Sequence, residues 1–201
     1  MQKIEIKLYE YYELDDDARE RVISDIREKL IEDKFYFLDE NLLLHLSSMY
    51  DLDHCKLYYD LGYSQGGGLS FMCENLLNSK YIIEKVKESL NKNEKATFTK
   101  LLKNKVLLRI FSTGNDSGRY CYASEYDIKL GINSDAKKIT KLQQTVIDKV
   151  EAIVQELYLD ICDELKMIGY GCYEVDDYEV IDYIENSDYL FYESGELYLG
   201  F

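Results

Sequence analysis

The sequence predicts an α+β fold, a mainly antiparallel sheet of hairpins packed by helices, in a single domain over residues 1–201. Three observations carry this expectation. Aromatic and β-branched segments come in pairs around Gly-, Asn-, Asp- and Ser-rich turns, which is how hairpins are written in sequence. Helical periodicity comes in separate blocks and does not alternate strictly with strands, which disfavours a parallel α/β sheet. One apolar repeat, near 135–168, is long enough to make a dominant helix. The chain has 201 residues, 46% of them hydrophobic, enough for a real core. No linker, repeat or low-complexity segment divides it.

Ile4, Ile6 and Leu8 alternate with charged residues and predict a half-buried strand. Asp15, Asp16 and Asp17 then place acids where a helix start leaves N–H groups free. Ala18, Val22, Ile26 and Leu30 follow at intervals of four and predict a helix to about Glu32. A second helix is expected over 38–48. Segments 56–64 and 69–74 predict two strands around Gln65-Gly66-Gly67-Gly68, and helices are expected at 81–90 and 95–102. A second hairpin is expected from 106–111 and 119–130 around the turn at 114–118.

Ile139, Leu142, Val146, Val150, Ile153, Leu157, Ile161, Leu165 and Ile168 then step by threes and fours. No Pro or Gly interrupts them before Gly169, which suits a helix C-terminal stop. At 1.5 Å per residue such a helix is roughly 45–50 Å long. It covers a sheet, or it presents a seam for a homodimer. A short acidic helix over 175–185 and a terminal hairpin of 189–192 with 197–199 complete the pattern.

Charge narrows the function. Asp and Glu number 39 against 24 Lys and Arg, a net charge of −15. Direct binding to DNA or RNA needs the opposite sign, as does binding to an anionic membrane surface. Residues 1–79 carry 8 bases and 17 acids, 80–149 carry 15 and 8, and 150–201 carry 1 and 14. The last segment is therefore an acidic tail with a net charge of −13. No run of 18 apolar residues is present to span a membrane. The opening MQKIEIKLYEYYEL has no apolar signal-peptide core, so a cytoplasmic location is expected. The five cysteines, 55, 73, 121, 162 and 172, are then expected as free thiols, although Cys55 and Cys73 could face each other across a hairpin.

Catalytic signatures are missing. Two histidines exist, and His45, in Leu42-Leu43-Leu44-His45-Leu46, is expected to pack. Asp51, Asp53, His54 and Cys55 lack the paired spacing of a zinc site and read as an acidic loop. The Gly66–Gly68 triplet has no Lys-Ser/Thr after it and leads into a strand, so it is no phosphate loop. No catalytic residue, cofactor or metal is assigned.

Several segments, in order, carry a resemblance. They are Tyr12-Glu13-Leu14-Asp15-Asp16-Asp17-Ala18-Arg19-Glu20-Arg21, then 63–71 (Tyr-Ser-Gln-Gly-Gly-Gly-Leu-Ser-Phe), then Gly118-Arg119-Tyr120, then 186–198. Together they resemble a family of small phage and prophage accessory proteins, sometimes labelled antitoxin-like. Where that family often has a His two residues after Arg-Tyr, this chain has Tyr122, so no metal or acid–base role carries over.

The resemblance, the missing catalytic motifs and the acidic tail together predict a non-enzymatic phage inhibitor. It would act in the bacterial host cytoplasm on a defence complex, such as a CRISPR effector. The expected partner is a host protein or ribonucleoprotein with a basic surface, met by carboxylates where phosphates would lie. The residues expected to carry this contact are Asp176, Asp177, Tyr178, Glu179, Asp182, Tyr183, Glu185, Asp188 and Tyr189. The loop Gln65, Gly66, Gly67 and Gly68 is a second contact. The alternatives are an antitoxin or regulator masking a toxin, and a sponge for a signalling nucleotide.

Overall fold

The computed structural model describes residues 6–62, 68–104, 106–113, 127–132 and 139–199, with backbone alone for 107–113 and 127–132. The fold mixes helix and strand, and helices dominate. In order, the elements are a one-turn 3-10 helix at Tyr11–Glu13, α1 (Asp16–Tyr36), α2 (Leu38–Tyr50), β1 (Lys56–Asp60), β2 (Gly68–Met72), a second 3-10 turn at Leu76–Asn78, α3 (Lys80–Ser89), α4 (Lys92–Lys103), β3 (Leu107–Thr113), β4 (Asp127–Ile132), α5 (Lys141–Gly171) and α6 (Asp177–Glu185). Among the described residues the strands form two separate antiparallel pairs, β1–β2 and β3–β4, so helices rather than a broad sheet supply most of the packing surface there. The chain divides into two compact units, residues 1–38 with 171–201, and residues 39–170.

Helix starts follow the side chains. Asp15 accepts the Ala18 N–H at 2.8 Å. Ser79 accepts the Ile82 N–H at 3.0 Å and donates to the Tyr50 carbonyl, so this buried hydroxyl is satisfied twice. Asn91 and Glu94 form a reciprocal capping box, which starts α4 three residues earlier than its apolar pattern suggests.

The terminal unit is built on α1 and α6. Ala18, Val22 and Ile26 of α1 are buried with Val175, Val180 and Ile184, and Tyr11, Leu14 and Phe191 close the cluster. The strand expected at 4–8 is not formed within the described residues. Tyr9 alone pairs with Phe191, both backbone bonds being 2.9 Å, and Phe191 also bridges Leu197. The expected terminal hairpin forms as a short one: the Phe191–Leu197 bridge is flanked by Tyr192 N–H donating to the Glu196 carbonyl at 2.9 Å and Tyr198 N–H donating to the Leu190 carbonyl at 2.8 Å, and its turn is closed by Gly195 N–H donating to the Tyr192 carbonyl at 2.9 Å. Gly195 has φ +89°, and an added Cβ would stand 2.7 Å from the Ala18 carbonyl oxygen.

The central unit is organised by α5, about 46 Å long by its rise per residue. It starts at Lys141 and continues through Gly169 to Gly171. Gly169 is not a stop. It is buried inside the helix, where a Cβ would meet Leu61 Cδ1 at 2.5 Å, so glycine here admits a close neighbour. The buried face is Val146, Ile147, Val150, Val154, Tyr158, Ile161, Cys162, Leu165 and Gly169. Ile153, Leu157 and Ile168 lie at its margins and Leu142 is exposed. The stripe is covered by its own chain, so no second copy is required to bury it. Tyr158 is 1% exposed, and its hydroxyl donates to the Phe71 carbonyl at 2.8 Å and accepts the Phe71 N–H at 3.2 Å. Among the described residues no helix is long and apolar enough to cross a membrane.

His45 is half-buried and not part of an apolar face. Its Nε2 lies 2.7 Å from Glu164 Oε1, while the buried Tyr50 hydroxyl donates to Glu164 Oε2. Tyr50 first and His45 second hold the Glu164 carboxyl below its usual range. Burial, then Glu164, pushes the Tyr50 hydroxyl up. A carboxyl lowered in the folded state stabilises above its unfolded pKa, about 4.3, and that increment is lost as pH falls through the folded value. Glu164→Gln should therefore lower the urea midpoint at pH 7, and the gap to wild type should narrow as the carboxyl is titrated in acid. A gap that persists there would mean that Gln acts through packing instead of charge.

Candidate functional site

The acidic segment that ends the chain folds onto α1, and the fold sorts its carboxylates into two groups. The first holds α6 in place. Asp176 caps the helix by accepting the Glu179 N–H at 2.8 Å. Arg27 donates through Nε to the Val175 carbonyl at 3.1 Å and pairs with Asp177. Lys34 pairs with Glu179 at 2.9 Å and reaches the Glu174 carbonyl at 3.3 Å. Arg27 and Lys34 stand seven residues apart, two turns along one face of α1, which matches the line of acids on α6. Asp176, Asp177 and Glu179, expected as partner contacts, are thus engaged within the unit.

The second group faces outward. Tyr178 is 79% exposed. Asp182, four residues on, shares its side of α6, and Glu185 continues the same line. Asp182 and Asp188 are exposed, and neither side chain has a hydrogen-bond or ion-pair partner among the described residues. The line runs into a groove of about 580 Å³ whose walls include Glu10, Tyr12, Glu185, Asp188, Tyr189 and Leu190. The Tyr12 hydroxyl donates to Glu185 across it, which raises the Tyr12 pKa. Tyr183 and Tyr189 are partly buried against the core. Their hydroxyls lie 3.2 Å apart, and Lys29 Nζ donates to Tyr189 at 2.9 Å with its charge over both rings. Lys29 lowers the Tyr189 pKa, and Tyr189 in turn raises that of Tyr183. These two tyrosines brace the groove from behind, whereas Tyr178 and Tyr12 are offered to solvent.

Of the loop 65–68, Gln65, Gly66 and Gly67 lie outside the described residues. Gly68 opens β2 opposite Asp60. Glu10 and Tyr12 were not among the expected contacts. Tyr12 stands in the first resembling segment, but its pairing with Glu185, 173 residues away, exists only in the fold.

Folding also concentrates charge. Residues 1–38 and 171–201 hold 7 Lys and Arg against 20 Asp and Glu, a net −13, while 39–170 hold 17 against 19, a net −2. The acids of α1, distant in sequence from the tail, belong to the same unit. Chemically, exposed carboxylates beside phenol rings can accept charge-assisted hydrogen bonds from a guanidinium or ammonium and stack on it. No family model, curated protein or solved structure matches this chain.

Proposed function

We propose that this chain is a non-catalytic inhibitor that docks its acidic terminal unit on the basic, nucleic-acid-binding surface of a host defence complex, as the resemblance to phage accessory proteins implies. The observation that supports this reading most is the charge partition, −13 against −2 in the two units. A field concentrated on one unit steers and orients an encounter, which a diffuse charge does not. Tyr178 is the anchor, because an exposed tyrosine ringed by acids suits a contact centre. Asp182, Asp188 and the Tyr12–Glu185 groove receive the partner's Arg and Lys side chains.

Affinity capture from infected cells supplies the partner, and association kinetics test the contact. The variant Tyr178→Ala/Asp182→Lys/Asp188→Lys leaves the Arg27 and Lys34 pairs intact, so its melting temperature should stay within a few degrees of wild type. Its association rate at low salt should fall about tenfold, with a flatter salt dependence. An unchanged rate at both salt concentrations would reject the surface.

A further inference from the structure

In the central unit, Cys55 precedes β1 and Cys73 follows β2. Lys56 faces Met72 and Leu57 faces Phe71, so one further step of the register sets Cys55 opposite Cys73. The two backbone groups of Phe71 turn to the Tyr158 hydroxyl, which makes Leu57–Phe71 a non-hydrogen-bonded pair. Pair types alternate along an antiparallel ladder, so Cys55–Cys73 occupies the next non-hydrogen-bonded position. Cα atoms at such positions are about 4.5 Å apart, within the roughly 4.4–6.8 Å that disulfides span. The sulfurs converge: Cys55 Sγ is 3.9 Å and Cys73 Sγ 4.0 Å from the same Asp53 carbonyl oxygen.

The surroundings favour reaction at Cys73. A cavity of about 210 Å³, walled by Asp51, Asp53, His54, Glu74 and Asn78, opens onto it. The loop carrying Asp53 is held between Asp51 (φ 54°) and His54 (φ 56°), left-handed positions that non-glycine residues adopt at a cost. Cys55 donates a hydrogen bond to Cys73, lowering the Cys73 thiol to about 7 and raising Cys55. Cys73, Cys162 and Cys172 are all buried, but the cavity reaches Cys73, whereas burial pushes the Cys162 and Cys172 thiols up and makes them poor nucleophiles.

We propose that Cys55 and Cys73 form a reversible redox pair, oxidised by a small-molecule disulfide to close a disulfide across the open end of the β1–β2 hairpin. The Cys73 thiolate attacks one sulfur of the small disulfide, whose S–S bond breaks. A mixed disulfide forms on Cys73, and the first small thiolate leaves and takes a proton from water. Derivatisation removes the anion that held the Cys55 proton. Cys55 loses that proton to solvent, attacks the Cys73 sulfur and expels the second small thiolate. Two protein thiols are oxidised and one small disulfide is reduced to two thiols. The switch pins the β1–β2 hairpin at the end where Lys56 faces Met72.

The test treats the full reduced chain with oxidised glutathione at neutral pH, followed by alkylation and peptide mapping. The expected product is a linked Cys55–Cys73 peptide, with Cys162 and Cys172 alkylated only after unfolding. Cys55→Ser should trap glutathione on Cys73, and Cys73→Ser should slow loss of the Cys55 thiol at least tenfold. Wild-type alkylation by iodoacetamide needs no substitution and should label Cys73 at least tenfold faster than Cys162. A mixed disulfide that persists on wild-type Cys73, first modification at Cys55 or Cys121, or equal labelling of Cys73 and Cys162 would overturn the proposal.

Discussion

Tyr158→Ala should destabilise the central unit by about 5 kcal/mol, and Tyr158→Phe by about 2 kcal/mol. The alanine figure combines the roughly 3–5 kcal/mol for emptying a buried aromatic site with the loss of two hydrogen bonds. The phenylalanine figure isolates the hydroxyl. That hydroxyl closes both backbone groups of Phe71, at 2.8 and 3.2 Å, as a neighbouring strand would. Each buried group left without its partner costs about 1–3 kcal/mol. Cys162 Sγ lies within hydrogen-bonding reach of both Phe71 and Tyr158 and offsets part of the loss, which sets the value at the lower end. Domains are stable by about 5–15 kcal/mol, so the alanine variant approaches complete unfolding. Urea midpoints and amide exchange across 68–72 measure both effects. A Phe variant within 0.5 kcal/mol of wild type, with Phe71 exchange unchanged, would show that Tyr158 serves only as an apolar filler.

Gly195→Ala should cost about 3 kcal/mol in the terminal unit, from two sources. A left-handed backbone costs an L-residue roughly 1–2 kcal/mol, and Gly195 has φ +89°. The new methyl would also stand 2.7 Å from the Ala18 carbonyl oxygen, a backbone atom inside α1 that cannot swing aside. The 190–198 turn must then lift from α1, and with it the Tyr9–Phe191 pair. Gly195→Asn separates the sources, because Asn tolerates the backbone angle but carries the same Cβ. It should recover only about 1 kcal/mol. Full recovery by Asn would place the whole effect in φ and remove the claim of close contact with α1. Loss of amide protection at Tyr9 and Phe191 is the local readout.

Local signals in this chain are legible where a side chain speaks to its own backbone. Asp15 marks in the sequence the helix start that the structure shows, whereas the capping roles of Ser79, Asn91 and Asp176 emerge only in the fold. The β1–β2 and β3–β4 pairs fall on segments whose aromatic and β-branched residues predict strands. Gly169 misleads because a glycine at a helix end and a glycine at a close packing contact look the same in sequence, and only Leu61 tells them apart. The buried stripe of α5 is likewise shifted from its apolar letters. Tyr158 and Cys162 enter the core because Phe71 presents backbone groups there, a fact set by another part of the chain. At the acidic tail, composition identifies the residues but not their division of labour. Asp177 and Asp182 are the same letter. Arg27 pairs with Asp177, and among the described residues no cation pairs with Asp182, and this decides which one is available to a partner.

Displacement is the most direct measure of the central claim, that the acidic terminal unit occupies a cationic nucleic-acid site. The captured partner is loaded with labelled nucleic acid, and its release is followed by fluorescence polarisation as this protein is added. Wild type should release the nucleic acid, and the Tyr178→Ala/Asp182→Lys/Asp188→Lys variant should need at least about tenfold more protein for the same release. Binding of wild type with the nucleic acid still in place, or equal release by wild type and variant, would contradict the account.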